Sequence, residues 1–333
     1  MGRKKISFEG LGRLPFEEWE EDFEPQTRRN VYERISVPRN DDNKKESDGL
    51  LYYISFGSGS SGNSCYIGTS EGGIIIDAGI RADEIESKIR DNGIDIKKVH
   101  GVLLTHDHSD HVRYSYSLVR NNKHMKVYCT NRVLNAVLRR HDISKRIKDY
   151  HIAIFKEIPF KVGDLEITAF EVPHDGSDNM GFSVNFQGRN FVLATDMGEV
   201  RPRARHYISE ADYLVIESNY DLKMLLTGRY PEFLKARIQT PVGHMDNDAT
   251  AGFLKEIYNP RLKHIFLCHL SKDNNTPEIA LNKVRGALEE VGIIVGEGME
   301  TLTDRAADVQ LTALPRYEAT RLYVFRPVNG NIQ

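Results

Sequence analysis

Apolar positions along this chain follow two periods. Short runs bounded by glycine and serine turns predict strands at 51–56, 65–68 and 73–77, and a buried apolar run predicts another at 99–104. Further runs predict strands at 165–172, 182–186, 190–194, 213–217 and 264–268, with a tight Gln187-Gly188 turn joining 182–186 to 190–194. Between them the spacing shifts to the helical period at 82–92, where Gly93 stops it, and at about 131–141, 231–239, 247–258 and 276–290. No internal repeat is evident. Interspersed strands and helices imply a layered α/β domain, with functional residues gathered on loops at strand ends.

The first 48 residues lack this pattern. They mix ten Lys and Arg with twelve Asp and Glu, including the acidic run from Glu17 to Glu24 around Trp19. The stretch from Asn40 to Gly49 has the composition of a solvated linker, so residues 1–48 are expected to form a charged arm, extended or partly ordered. Phe16, Trp19 and Phe23 offer an alternative in which the arm docks on the domain or a partner.

A chain of 333 residues with 40% apolar content can bury a substantial core. Cysteine occurs only at Cys65, Cys129 and Cys268, without a Cys-x-x-Cys pair, which excludes a disulfide framework and a thiolate zinc site and fits a reducing compartment. The N-terminus carries no apolar run suited to a signal peptide or membrane span, so a cytoplasmic protein is expected. Gly2 does not make a myristoylation signal, because position 6 is Ile. The formal charge of −3 provides no overall attraction to nucleic acid, although it can conceal a basic face.

Chemistry enters just past the strand at 99–104. Thr105-His106-Asp107-His108-Ser109-Asp110-His111 places three imidazoles and two carboxylates in seven residues. Such a set suits a borderline or hard divalent ion, and its spacing lets one segment address two ions. Three later residues also follow predicted strands: His174, Asp196 and His269.

The His-x-His-x-Asp-His pattern resembles the first signature of the metallo-β-lactamase superfamily, and the later His, Asp and His occur in that superfamily's order. The resemblance covers roughly residues 50 to 300. It implies a four-layer αββα sandwich and two divalent metal ions, Zn2+ or Mn2+ ahead of iron. By carry-over, His106, His108 and His174 hold one ion, Asp110, His111 and His269 hold the other, and Asp196 bridges. Asp110 would also orient the attacking hydroxide, and Thr105, Asp107 and Asp175 are candidates to fix imidazole orientation. A catalytic domain at 49–300 and a C-terminal extension packed on it at 301–333 complete the expected organisation.

Within that superfamily, Phe56-Gly57-Ser58-Gly59-Ser60-Ser61-Gly62-Asn63-Ser64, Glu217-Ser218-Asn219, Gly243-His244 and the segment from His269 to Asn275 resemble the YycJ/WalJ group of 5′-to-3′ DNA exonucleases. Tyr220 stands where that group has His, so any role of that histidine does not transfer. Independently of the resemblance, small residues at 57–63 could converge backbone N–H groups into an anion nest, and Ser60, Ser61, Gly62 and Asn63 are the expected substrate contacts. His244 is a candidate proton donor, or else part of the cap of the following helix. The stretch 113–148 carries ten Lys and Arg against the single acid Asp142, and Arg201, Arg203 and Arg205 form a smaller basic cluster. These features favour metal-dependent cleavage of a nucleic acid, DNA first. The alternatives are a small-molecule hydrolase acting on cyclic phosphodiesters, lactones or thioesters, a di-iron reductase, and a non-catalytic binding module. His108, where di-iron relatives carry Glu, disfavours the reductase.

Overall fold

A computed structural model of the chain describes residues 48–298 and 306–327. Strands β1 (Leu51–Gly57), β2 (Ser64–Thr69), β3 (Gly72–Ile76), β4 (Val99–Leu103), β5 (Lys126–Cys129) and β6 (His151–Ala153) lie side by side in one sheet. A second sheet contains β7 (Phe160–Val162), β8 (Leu165–Glu171), β9 (Met180–Phe186), β10 (Arg189–Ala194), β11 (Tyr213–Glu217), β12 (His264–Cys268), β13 (Val295–Gly296) and β14 (Val309–Ala313), ordered β13-β14-β12-β11-β10-β9-β8-β7. A last strand, β15 (Tyr323–Phe325), returns to the first sheet and pairs antiparallel with β1. Both sheets are mixed: β3 to β6 are parallel, as are β10, β11, β12 and β14.

The parallel strands β3, β11 and β12 are buried on both faces, which is why they read as continuous runs in the sequence. In β11, Tyr213 and Val215 enter the core between the sheets, while Leu214 and Ile216 enter a second core on the outer face. Tyr53 of β1 ties the sheets together, with its ring 4.8 Å from Phe191 and 4.9 Å from Phe266. Helices Asn247–Ile257 and Pro277–Glu289 cover the outer core through Leu254, Val284 and Leu288. On the other side, helices Ala82–Asp91, Ser115–Asn121 and Asn131–Arg140 bury Ile85, Leu118 and Val137. Four layers result, as the metallo-β-lactamase resemblance implies.

Capping makes the helix starts legible. Thr130, Asp246 and Thr276 each accept a hydrogen bond from the N–H three residues on, an arrangement worth about 1 kcal/mol per cap. Helices Ser109–Val112, Ser115–Asn121, Pro202–Ser209 and Leu222–Thr227, and strands β5, β6, β7, β13, β14 and β15, were not anticipated from the pattern. Most span too few residues for a period to show. Residues 301–333 do more than rest on the domain where they are described: β14 lies inside the second sheet and β15 edges the first. The expected arm lies outside the described residues apart from Asp48. Among the described residues, no helix is long and apolar enough to cross a membrane.

Strand direction creates the site. In register, Ala194 pairs with Ile216 and Glu217 with Cys268, so β10, β11 and β12 end along one edge. Strand β8 runs the same way two places along, being antiparallel to β9, which is antiparallel to β10. The segments that follow these carboxyl ends carry His174, Asp196, Glu217 and His269, and the segment after β4 supplies the histidine-rich motif. Crevices beyond the carboxyl ends of parallel strands are where ligands bind in α/β sheets.

Candidate metal centre

All seven expected ligands converge. His106, His108 and His174 form one group and Asp110, His111 and His269 another, with the ligand atoms of each group within 4.8 Å of one another. Asp196 joins both sides, meeting His106 and His111 in one cluster and His269, His244 and Glu217 in a second. Its Oδ2 lies 3.2 Å from His111 Nε2 and its Oδ1 3.2 Å from His269 Nδ1. Three residues here adopt left-handed backbone at strand ends: Asp77 (φ 60), Asp196 (φ 52) and His269 (φ 54). That conformation costs a non-glycine residue roughly 1–2 kcal/mol, and it turns these side chains inward.

Hydrogen bonds set the imidazole tautomers. His111 donates from Nδ1 to Asp77 Oδ2 at 2.7 Å, His174 from Nδ1 to the Gly243 carbonyl at 3.1 Å, and His269 from Nδ1 to Glu217 Oε1 at 2.9 Å. Thr105 Oγ1 donates to Asp77 Oδ2, which leaves its lone pair to accept from His106 Nδ1 at 3.0 Å. With Nδ1 engaged in all four rings, Nε2 is the atom each would present to an ion, an arrangement that partner groups typically enforce on metal-ligating histidines. His108 differs. Its Nε2 lies 3.4 Å from Asp175 Oδ1, so Nδ1, 3.3 Å from His174 Nε2, is the atom it would offer an ion. The Nε2 atoms of His106 and His269 are buried and have no hydrogen-bond partner, as expected of atoms whose partner is a cation.

The charges fit the same occupant. Burial, reinforced by the facing His111, pushes His106 well below the usual imidazole range, and burial with His174 lowers His108. Burial opposes protonation of His269 too, but Asp196, Asp110 and Glu217 lift it to about 10. Asp196 is held well below the carboxylate range because His269 and His111 outweigh its burial. His106 and His108, held neutral by burial, face a second side where Asp77 and Asp196 raise His111 against its burial, as expected of ionised carboxylates that await a cation.

The surrounding residues sort by contact. Glu217 is buried, with Oε1 2.7 Å from His244 Nδ1 and Oε2 accepting from the N–H groups of Met197 and Met245. Asp77 and Glu217 are the two buried carboxylates that fix metal-facing histidines, and the sequence reading assigned neither a role. For Asp77 the available signal was an acid ending a buried strand; for Glu217 it was the Glu-Ser-Asn motif. Asp175 contacts His108 and is held by Arg237. Asp107 reaches Ser177 and Arg140 instead of an imidazole, and so ties the His174 loop to the motif. Tyr220 is buried among Leu225 and Ile238, and its hydroxyl is pushed up to about 12 by burial, with Asp246 and Glu217 adding to the rise.

The expected anion nest is not built as anticipated. The N–H groups of Gly59, Gly62 and Asn63 are taken up by Asn63 Oδ1, the Gly59 carbonyl and the Asp110 carbonyl. Asn63 instead sets Nδ2 3.3 Å from Asp110 Oδ2 and 2.9 Å from His111 Nε2, while the Ser60 and Ser61 hydroxyls face Arg316. Gly79 shows why the turn sits so close: a Cβ there would lie 1.6 Å from the Asp110 carbonyl oxygen. The smaller basic cluster is neutralised, since Arg201, Arg203 and Arg205 pair with Glu199, Glu157 and Glu256.

The fold and the clustered histidines and carboxylates define a metallohydrolase scaffold. Residues 73–269 match the beta-lactamase superfamily domain, and the chain belongs to that family. At 37% identity over 251 residues it is similar to exodeoxyribonuclease YycJ of Bacillus anthracis, covering 75% of this chain and 94% of that protein. It is 32% identical over 249 residues to exodeoxyribonuclease WalJ of Streptococcus pneumoniae serotype 2, covering 74% and 91%. Among solved structures, the metallo-beta-lactamase fold protein YhfI from Bacillus subtilis superposes with a TM-score of 0.59 at 13% identity, over 83% of this chain and 100% of the other. Zn(2+)-bound PqqB from Methylobacterium extorquens gives 0.55 at 16% identity, over 81% and 99%.

Proposed function

We propose that the protein is a two-metal nuclease that hydrolyses phosphodiester bonds of DNA, acting as an exonuclease. The observation that carries this reading is the convergence of two ligand groups on a shared Asp196, in a chain similar along most of its length to named exodeoxyribonucleases. His106, His108 and His174 would hold one ion and Asp110, His111 and His269 the other, with Asp196 between them. When bound, such a pair supplies positive charge to the phosphoryl oxygens and lowers the pKa of a water molecule towards neutrality.

The chain's own residues do the rest. Asp110, kept ionised by His111 and His269 despite its burial, can orient the attacking water through a carboxylate oxygen. His244 is partly open to solvent, and its Nδ1–H is fixed by Glu217 at 2.7 Å. With Nδ1 engaged by Glu217, Nε2 is the ring atom left to carry a proton to the departing oxygen. Three buried, unpaired cysteines fit a reducing cytoplasm. Zinc or manganese is the expected metal, and residues 49–300 are expected to hold all of the chemistry.

The test is to incubate metal-replete protein with end-labelled single- and double-stranded DNA and RNA, beside a lactone and a thioester. Successive shortening of DNA from one end is expected. Hydrolysis of the lactone or thioester with intact DNA would overturn the proposal in favour of a small-molecule hydrolase.

A further inference from the structure

A cavity of about 160 Å³ opens on the outer side of the Ser-Gly turn, lined by Ser61, Gly62, Arg81, Arg113, Arg316 and Tyr317. Only one of its three guanidinium groups is neutralised. Arg81 pairs with Asp83 at 2.6 Å and Glu84 at 3.6 Å. Arg316, half-buried, is held by neutral oxygens: its Nη1 lies 3.2 Å from Ser60 Oγ and 3.4 Å from Ser61 Oγ, and Nη2 donates to the Leu270 carbonyl. Arg113 donates to Ser109 Oγ at 3.1 Å. Among the described residues, neither Arg113 nor Arg316 forms a salt bridge. Hydroxyls and carbonyls aim a guanidinium without cancelling its charge, and two such groups on one concave wall leave a site for an oxyanion.

The cavity lies one backbone layer from the metal centre. Gly62 presses on the Gly79 carbonyl and Gly79 on the Asp110 carbonyl. On the opposite side of the same turn, Asn63 touches Asp110 and His111. Arg316 comes from the segment leading to β15, outside residues 73–269 of the family match, and Ser58 N–H donates to the Pro315 carbonyl at 3.1 Å to seat that segment against the turn. Tyr317 stands at the mouth with 62% of its surface exposed, a ring on which a base can stack. Glu84 also lines the cavity, paired with Arg81 at 3.6 Å.

We propose that Arg113 and Arg316 form a phosphate-binding subsite that anchors a non-scissile phosphate of the nucleic-acid strand while another is cleaved at the metals. This rests on the nuclease reading above. Guanidinium groups can engage a phosphate bidentately, and removing one is expected to cost roughly tenfold or more in recognition.

The experiment compares wild type, Arg316→Gln, Arg113→Gln and the double variant, all metal-loaded, on a short single-stranded DNA and on bis(p-nitrophenyl) phosphate, which is too small to span both sites. The expected result is a ratio of kcat/KM for DNA to that for the small diester that falls roughly tenfold or more in each single variant, through KM. An unchanged ratio would overturn the subsite. So would equal loss on both substrates in the Arg113→Gln protein, whose exposed side chain has no structural duty beyond Ser109. Substrates with a 5′-phosphate and a 5′-hydroxyl separate the sources: a penalty confined to the former makes the anchored group the strand's terminal phosphate, and a penalty on both makes it an internal one. Failure of the wild type to cleave any DNA would defeat the nuclease reading itself, a result distinct from failure of the subsite.

Discussion

Asp77 shows how one residue organises chemistry it does not perform. It is buried, left-handed in backbone, and accepts from Thr105 N–H, Thr105 Oγ1 and His111 Nδ1. Through these bonds it sets the tautomer of His111 directly and that of His106 by way of the threonine. Asp77→Asn keeps the volume but offers an amide in place of the second carboxylate oxygen, so the imidazole loses its anionic partner. Metal affinity is expected to fall roughly 10–100-fold, the usual effect of losing a hydrogen bond behind a ligating histidine. Competition with a chromophoric chelator measures it, and wild-type affinity would show that the tautomer is set elsewhere. Direct ligands are more demanding. His269→Ala should leave less than the full metal complement by elemental analysis, and full occupancy would remove His269 from the ligand set.

At the scale of elements, the basic stretch 113–148 is dispersed by the fold. Arg139 and Arg140 end the helix Asn131–Arg140, whose C-terminus lies against the metal motif, since Arg140 pairs with Asp107 at 2.8 Å and His141 Nε2 lies 2.6 Å from the Asp107 carbonyl. Lys145, Arg146 and Lys148 belong to the turn Lys145–Tyr150 that leads into the start of β6. Strands β4, β5 and β6 are parallel, so that start faces away from the edge where the motif sits. Arg139 and Arg140 are thus separated from Lys145, Arg146 and Lys148. Replacing Arg139 and Arg140 by Ala is expected to weaken DNA binding and flatten its salt dependence, whereas replacing Lys145 and Arg146 should do much less, because only phosphates that a residue neutralises release counterions. Salt titrations of DNA affinity for the two double variants decide it. Equal effects would mean that the strand wraps the whole domain.

For the whole molecule, metal and fold are linked. Four buried carboxylates, Asp77, Asp196, Glu217 and the largely buried Asp110, stand close together, and removing the cations leaves them with histidines alone as counter-charges. Chelation is expected to lower Tm by roughly 5 °C or more, with recovery on adding back zinc or manganese. An unchanged Tm after complete, verified metal loss would show that the centre carries no folding energy. A shortened chain beginning at Asp48 should retain fold and metal content, because every ligand and both cores lie beyond residue 50. Loss of metal binding on truncation would place the arm within the domain.

Local patterning by itself determined most of the longer strands and helices, and with them the α/β class: apolar period and capping act within a few residues, so β11 and the helix Pro277–Glu289 are legible from their own stretches. The residues that converge in the clusters were legible for a different reason: the motif from His106 to His111 is chemically distinctive by itself, and the resemblance to the superfamily picked out His174, Asp196 and His269. Which carboxylate stands behind which histidine was decided only by the tertiary structure. Asp77 and His111 are 34 residues apart in sequence, Glu217 and His269 are 52 apart, and Ser60 and Arg316 are 256 apart. Those distances close only when two sheets pack and parallel strands bring their ends to one edge, and no local period records them. The same packing spent the backbone N–H groups of the Ser-Gly turn on neighbouring carbonyls and set an arginine from the C-terminal segment beside it, moving the predicted anion site from main chain to guanidinium.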